Sequence, residues 1–177
     1  LGALFLLVYS GVEAGLGNWI YTFLLEERQQ GELLAGWVVS GYWLGLTLGR
    51  FVLNHVASWL RLGKRGLVYL CCVGALAGLG LVWLIPNGVV AAVGFCLIGL
   101  CLGPIYPTTI ALLPELVPSR VLSSAMGLII GVSIIGVALF PWLAGVLAQG
   151  LGTWTLLPNM LGLSVIMLGI WWGVCRS

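Results

Sequence analysis

Residues 88–113, GVVAAVGFCLIGLCLGPIYPTTIALL, contain no charged side chain. A helix needs about 20 apolar residues to cross the hydrocarbon core of a membrane, and this stretch exceeds that length. Inside lipid a chain must satisfy its backbone hydrogen bonds internally, which a helix does and an irregular segment does not. The stretch therefore predicts a transmembrane helix.

The composition of the whole chain agrees with a membrane protein. Of its 177 residues, 61% are apolar and 7% are charged. That is about a third of the charge usual in a soluble domain. The net charge of +2 also leaves no polycationic surface for nucleic acid. Composition therefore excludes a water-soluble globular domain and a nucleic-acid-binding protein.

Several classes of reaction lack the residue types that they need. The chain has no Asp and a single histidine, His55, so aspartyl-protease and histidine-zinc chemistry have no side chains to use. The cysteines lie mostly in apolar runs, without the histidine or acidic neighbours of a metal site. We therefore expect no metal, no cofactor and no enzymatic activity.

Six apolar runs of this kind, separated by short polar, proline or glycine breaks, predict one all-α integral membrane domain over residues 1–177. The loops are so short that consecutive helices must run antiparallel. Because the chain opens inside an apolar run, we expect it to be a fragment of a longer protein. The predicted helices span residues 1–25, 33–56, 66–85, 88–113, 122–147 and 155–174.

Lysine and arginine are distributed unequally between the two ends of these helices. Only Arg28 lies in the first, third or fifth loop. Because basic residues concentrate on the cytoplasmic side, we expect both ends of the chain to face the cytoplasm of a plasma or inner membrane. The residues on the basic side are Arg61, Lys64, Arg65, Arg120 and Arg176.

Small residues at four-residue spacing predict close helix packing, because association in lipid depends on how closely the backbones approach. Four of the six predicted helices carry such stripes. They are formed by Gly41, Gly45 and Gly49, by Gly99 and Gly103, by Ser123, Gly127 and Gly131, and by Gly169 and Gly173.

Two predicted helices contain helix-breaking residues at similar depth, at residues 15–18 (GLGN) and 103–107 (GPIYP). Helices one and four would correspond in an inverted three-plus-three repeat, and transporters place binding sites at such paired discontinuities. The alternative is that glycine and proline are simply frequent in membrane helices. The pairing favours a solute-binding site near the middle of the membrane.

Glu13 is the only acidic residue far from a loop. A charge at that depth costs about 2.5 to 3.5 kcal/mol, so the carboxyl must be neutral, paired or hydrated. It could carry a proton between the two faces of the membrane. Alternatively, it hydrogen-bonds across the bundle and only stabilises packing.

Polar and aromatic side chains beside the two breaks are candidates for solute binding. Trp19 and Tyr106 can stack on a flat apolar face, such as a sugar ring, while their N–H or O–H groups donate hydrogen bonds. Asn18 lies within the first break. Anchoring at the membrane interface is the alternative role for tryptophan.

Three stretches resemble the C-terminal six-helix half of a major facilitator superfamily transporter, in the branch of the fucose and glucose/galactose permeases. Residues 9–19, YSGVEAGLGNW, are similar to the Y-x-G-x-E-x-x-x-G-x-aromatic pattern of helix seven, and residues 103–111, GPIYPTTIA, are similar to helix ten. Residues 57–65, ASWLRLGKR, resemble the basic loop signature of the family. Ser58 and Trp59 stand where that signature has Asp and Arg.

The resemblance implies secondary transport of a small, sugar-like solute by alternating access, with a proton as the candidate coupling ion. It implies Glu13, Asn18, Trp19, Tyr106 and Thr108 as cavity residues, with Glu13 as the coupling group. It also implies Arg50 as a gate or packing charge. Helices one, two, four and five would face the cavity, and helices three and six would face lipid.

A six-helix half cannot enclose a transport site alone. We therefore expect an N-terminal six-helix half as partner, in the same gene, as a separate chain or as a second copy of this one. The other candidate function is a membrane interaction or sensor subunit, which would bind a solute without equilibrating it. A membrane enzyme is disfavoured, because no nucleophile, base and orienting group converge in the sequence.

Overall fold

The computed structural model describes residues 1–59 and 61–176, without the side chain of Asn54. All regular structure in these residues is helical. Two 3-10 turns, Ser119–Val121 and Thr153–Thr155, precede the last two helices. The α-helices are α1 (Gly2–Glu26), α2 (Glu32–Trp59), α3 (Lys64–Leu84), α4 (Gly88–Leu102), α5 (Ile105–Leu116), α6 (Leu122–Leu151) and α7 (Leu156–Arg176).

Five segments of the described chain are long and apolar enough to cross a membrane, which agrees with an all-α membrane protein. The helix α2, with 28 residues, is not among them. Polar residues such as Ser40, Thr47 and Arg50 lower its hydropathy. The five segments are Gly2–Glu26, Lys64–Leu84, Gly88–Leu116, Ser119–Leu151 and Thr153–Arg176.

Local sequence explains where several of these helices begin and end. The side chain of Asn87 caps α4, since its Oδ1 accepts a hydrogen bond from the backbone N–H of Val89 at 2.8 Å. Gly152 ends α6 at φ +104°, a conformation that side chains other than glycine rarely adopt. The boundaries thus follow cap chemistry as well as hydropathy.

The predicted discontinuity at residues 103–107 is confirmed. Helix α4 ends at Leu102, Gly103 and Pro104 form a turn, and α5 begins at Ile105. Pro104 and Pro107 have no N–H, so the carbonyl groups four residues before each of them lose their usual helical donor. The fourth span is therefore two helices joined by a break.

The expected break at residues 15–18 is wrong, because α1 continues through them without interruption. Gly15 and Gly17 instead provide room for neighbouring side chains. A Cβ atom on Gly15 would lie 2.5 Å from Cε of Met160 on α7, and one on Gly17 would overlap Trp43 on α2. The expected inverted repeat therefore loses the pair of breaks on which the prediction rested.

Glycines let α2 and α4 pack with their backbones in contact. A Cβ atom on Gly45 or Gly49 would overlap backbone atoms of α4. Reciprocally, a Cβ atom on Gly99 or Gly103 would overlap carbonyl oxygens of α2. The close packing predicted from these two stripes is confirmed, and it brings α2 against the break.

The stripes on α6 and α7 make far less contact inside the described domain. A Cβ atom added to Gly127, Gly131 or Gly169 would meet no atom within 4 Å, and Ser123 is exposed. The segment Ser119–Leu151 is also the least buried span, with 11% of its most apolar stretch buried. The expectation of packing within this domain is wrong for these residues, because spacing along a helix does not say which neighbour, if any, faces the stripe.

Helix α1 lies at the centre of the bundle, packed against α6 and α7 on one side and α2 on another. Its aromatic side chains Phe5 and Tyr9 are fully buried, and the Phe5 ring lies 4.7 Å from that of Trp171 on α7. Side chains on the buried face of α1 are therefore surrounded by other helices.

Contacts between loops define two ends of the bundle. At the basic end, which holds Arg61, Lys64, Arg65, Arg120 and Arg176, Lys64 Nζ pairs with Glu115 Oε1 at 2.7 Å. At the opposite end, the Thr153 hydroxyl donates to Glu27 Oε1 at 2.6 Å and Arg28 Nη2 donates to the Val82 carbonyl at 2.7 Å.

Replacing Gly99 by Ala should destabilise the bundle, because the new methyl group would overlap the Tyr42 carbonyl of α2. We expect a loss of about 1 to 3 kcal/mol, measured by thermal unfolding in detergent. The matched control is Gly80→Ala on α3, where the added Cβ meets nothing within 4 Å and only helix propensity improves. Equal shifts for the two variants would contradict backbone contact between α2 and α4.

Candidate functional site

Glu13 lies in the middle of α1, partly buried among tyrosines. Tyr9 is one helical turn before it on the same face, and Tyr42 reaches it from α2. Both tyrosines are fully buried, and the Tyr42 hydroxyl donates to the Glu13 carbonyl at 2.9 Å. Glu13 is therefore held at the contact between α1 and α2.

Tyr9 connects Glu13 with the break between α4 and α5. Its hydroxyl donates to the backbone carbonyl of Leu102, the last residue of α4, at 3.0 Å. The Tyr106 ring on α5 lies 6.2 Å from the Tyr9 ring, on the other side of the break. The hydroxyl thus supplies a donor to backbone at a point where the helical hydrogen-bond pattern is interrupted.

The Glu13 side chain interacts with a phenol and with a guanidinium. Its carboxyl lies within electrostatic range of the Tyr9 hydroxyl and of the Arg50 guanidinium of α2. Tyr9, Glu13, Tyr42, Arg50 and Tyr106 therefore form one polar cluster, which we call the Glu13 cluster. It draws on α1, α2 and α5 and adjoins the end of α4.

The hydrogen bond from Tyr9 to Leu102 restricts how Tyr9 can bond to Glu13. A phenol has one hydrogen to donate, and that of Tyr9 is directed to Leu102. While that bond is made, a hydrogen bond between Tyr9 and Glu13 would require the neutral acid to donate to the phenolic oxygen. An ionised Glu13 can only accept, so it must draw the Tyr9 hydroxyl away from Leu102 or rely on Arg50.

Trp19 lies away from this cluster, packed on α6. Its indole N–H donates to the carbonyl of Pro141 at 3.0 Å, and its ring fills the space left by Gly145. Its polar group is therefore already satisfied by α6. Asn18, the neighbouring candidate, is exposed on the surface of the described chain.

Thr108 belongs to a different part of the molecule. It is buried in α5 and lines a cavity of about 390 Å³ at the basic end, together with Ser58 and Lys64. Of the six residues singled out from the sequence, the structure places Glu13, Arg50 and Tyr106 around Tyr9. Asn18, Trp19 and Thr108 are not part of that cluster.

Sequence reasoning did not assign roles to Tyr9 and Tyr42 beside Glu13. A signal for Tyr9 exists, because it is four residues before Glu13 and so lies on the same face of a helix. Tyr42 has no comparable signal, because it reaches Glu13 from another helix across the bundle.

Comparisons with known proteins support a family for this chain. The family model described as Major Facilitator Superfamily matches residues 3–176. A protein of Saccharomyces cerevisiae named "Bypass of stop codon protein 6" is 28% identical over 166 residues, covering 86% of this chain and 32% of that protein. The chain thus spans about a third of the length of this curated relative.

Replacing Tyr9 by Phe should destabilise the protein, because the Leu102 carbonyl would lose the hydrogen bond from the phenol in a buried, apolar place. We expect a loss of about 1 to 3 kcal/mol in thermal unfolding. Tyr21→Phe on the same helix is the control, since Tyr21 is 38% exposed. If the two variants unfold at the same temperature, the hydrogen bond from the Tyr9 hydroxyl does not stabilise the chain at the break between α4 and α5.

Proposed function

Because the chain belongs to the major facilitator superfamily, a family of membrane transporters, we propose that it forms part of a secondary transporter that moves a small solute by alternating access. The single observation that supports a site in this chain is the Glu13 cluster. An acidic side chain, a basic side chain and three phenols meet beside a broken helix.

The cost of placing charge within a membrane span supports a functional role for this cluster. Charged side chains within a membrane span are rare, and they usually face the bundle interior or a hydrated cavity and mark ion or substrate pathways. Glu13 and Arg50 come from adjacent helices, and both are linked to the tyrosines through hydrogen bonds or electrostatic interaction. The cluster is therefore the best candidate in the described chain for a coupling site.

We propose Glu13 as the proton carrier of a solute–proton symporter. In the protonated state it donates to Tyr9, and Tyr9 donates to Leu102. Loss of the proton gives a carboxylate, which interacts with Arg50 and competes with Leu102 for the Tyr9 hydroxyl. Protonation of Glu13 thereby determines whether Tyr9 donates its hydrogen bond to Leu102 at the α4–α5 break. A change in the angle between α4 and α5 at this break would open or close the cavity.

The solute is proposed to be a small organic molecule of sugar-like polarity, as the resemblance to the fucose and glucose/galactose permeases implies. Tyr106 is the best placed ring for stacking, because it borders the Glu13 cluster. The solute could contact three further candidates only if the cavity extends along α1 and α5. These candidates are Asn18, Trp19 and Thr108. Arg50 is proposed as a gate or packing charge beside the coupling carboxyl.

We further propose that α2, together with the five apolar spans, makes six transmembrane segments, with the basic end facing the cytoplasm of a plasma or inner membrane. A second six-helix half would complete the transporter. This chain covers 32% of the length of the curated relative, which supports such a partner. The exposed stripe of α6 with Ser123, Gly127 and Gly131 offers it a surface for close helix packing.

Replacing Glu13 by Gln should abolish proton uptake that is driven by a solute gradient in proteoliposomes of the complete protein. Exchange of labelled solute across the same membrane should persist, because the amide preserves size but carries no titratable proton. The control is Glu26→Gln in the last turn of the same helix, where the side chain is exposed.

Unchanged proton uptake in the Glu13→Gln variant would contradict the coupling role. If the unmodified protein binds the solute but does not equilibrate the solute across the membrane, the result would support a sensor subunit. It would overturn the transport proposal.

A photo-crosslinking residue introduced at Gly131 should capture the second six-helix half, with the product identified by peptide sequencing. The same residue at Gly169 on α7 is the control, since a Cβ atom at either glycine meets nothing within 4 Å in the described chain. Crosslinking only to lipid at both positions would count against a partner on α6.

A further inference from the structure

A groove separate from the Glu13 cluster lies at the basic end, between the start of α3 and the end of α7. It has a volume of about 360 Å³. Its lining combines a basic residue, two aromatic rings and small residues. These residues are Arg65, Gly66, Tyr69, Trp172 and Cys175.

The walls of the groove are held together by the packing of the two helices. Trp171 is buried, and its indole N–H donates to the Arg65 carbonyl at 3.2 Å, so the end of α7 is attached to the first turn of α3. The Tyr69 and Trp172 rings lie 6.4 Å apart and are 40% and 49% exposed. The aromatic walls are thus fixed in position but open to the surroundings.

One arginine lines the groove, and a second lies against one of its aromatic rings. Arg65 is exposed in the first turn of α3, which contains no acidic residue. The Arg176 guanidinium lies 4.7 Å from the centre of the Trp172 ring. Within the described residues, the nearby acid Glu115 pairs with Lys64 at 2.7 Å and not with either arginine.

The surface that continues from the groove is apolar. Leu70 and Val73 of α3 and Val165 and Ile166 of α7 are exposed large hydrophobic residues. Both helices are long and apolar enough to cross a membrane, which would place these exposed side chains beside hydrocarbon. The groove therefore has a basic, aromatic mouth at the membrane interface and an apolar extension.

We propose that this groove binds an anionic phospholipid, with its phosphate between Arg65 and Arg176 and its acyl chains along α3 and α7. Guanidinium groups match phosphate geometry and are favoured for its recognition. Tyrosine and tryptophan are favoured at the level of lipid head groups. Basic pockets between membrane helices are known to bind anionic head groups.

The test measures how strongly brominated lipids quench tryptophan fluorescence. The complete protein is reconstituted in phosphatidylcholine vesicles that contain a small fraction of either brominated phosphatidylglycerol or brominated phosphatidylcholine. Subtracting the signal of a Trp172→Phe variant isolates the quenching of Trp172. We expect brominated phosphatidylglycerol to quench Trp172 more strongly than brominated phosphatidylcholine does.

Removing the arginines should abolish this preference. Each of Arg65→Gln and Arg176→Gln is expected to weaken it about 5-fold, and the pair to remove it. A variant with lysine at both positions should retain much of the preference, because it keeps the positive charges. This result would show that the glutamine variants lose the preference through lost charge and not through misfolding. Arg120→Gln is the matched control, because it removes the same charge at the same end but lies outside the groove.

Three results would overturn the proposal. Equal quenching by the two lipids would show no head-group selection. An equal loss in the Arg120→Gln control would show that general surface charge attracts the lipid. Loss of the preference on adding millimolar inorganic phosphate would show that free phosphate displaces the lipid, so that the acyl chains along α3 and α7 contribute nothing to binding.

Discussion

The hydrocarbon core of a membrane offers no water to a broken helix, and this constraint shapes the centre of the protein. Proline at positions 104 and 107 interrupts the hydrogen bonds of the fourth span, and the buried Tyr9 hydroxyl donates to the Leu102 carbonyl at the break. Tyr9 lies one helical turn before Glu13 on the same face, so the only acidic side chain deep in α1 lies close to the break in the middle of that span.

Glycine makes this arrangement possible by allowing helices to approach closely. Gly99 and Gly103 admit the backbone of α2 against α4, which places Tyr42 and Arg50 near Glu13. Larger residues at these positions would move α2 away from α4 and shift its polar side chains relative to Glu13. Packing and the polar cluster therefore depend on the same glycines.

The described chain has surfaces that differ in character. The α3 and α7 side carries aromatic rings and arginines at the membrane interface, which suits contact with lipid head groups. The α6 side carries small residues that pack against nothing in the described chain, which suits another helix. In the transport proposal, one side meets the bilayer while the other meets the second half across the cavity.

The sequence by itself determined the membrane class, the helical architecture and the break at residues 103–107, because hydropathy and the missing N–H of proline act locally. It also identified Glu13, since a charge within an apolar run is visible without a structure. Tertiary structure decided that α1 stays unbroken, that Trp19 bonds to α6, and that Thr108 lies at the basic end. A glycine that bends a helix and one that makes room for a neighbour look alike in sequence, and only the position of the neighbouring helix distinguishes them.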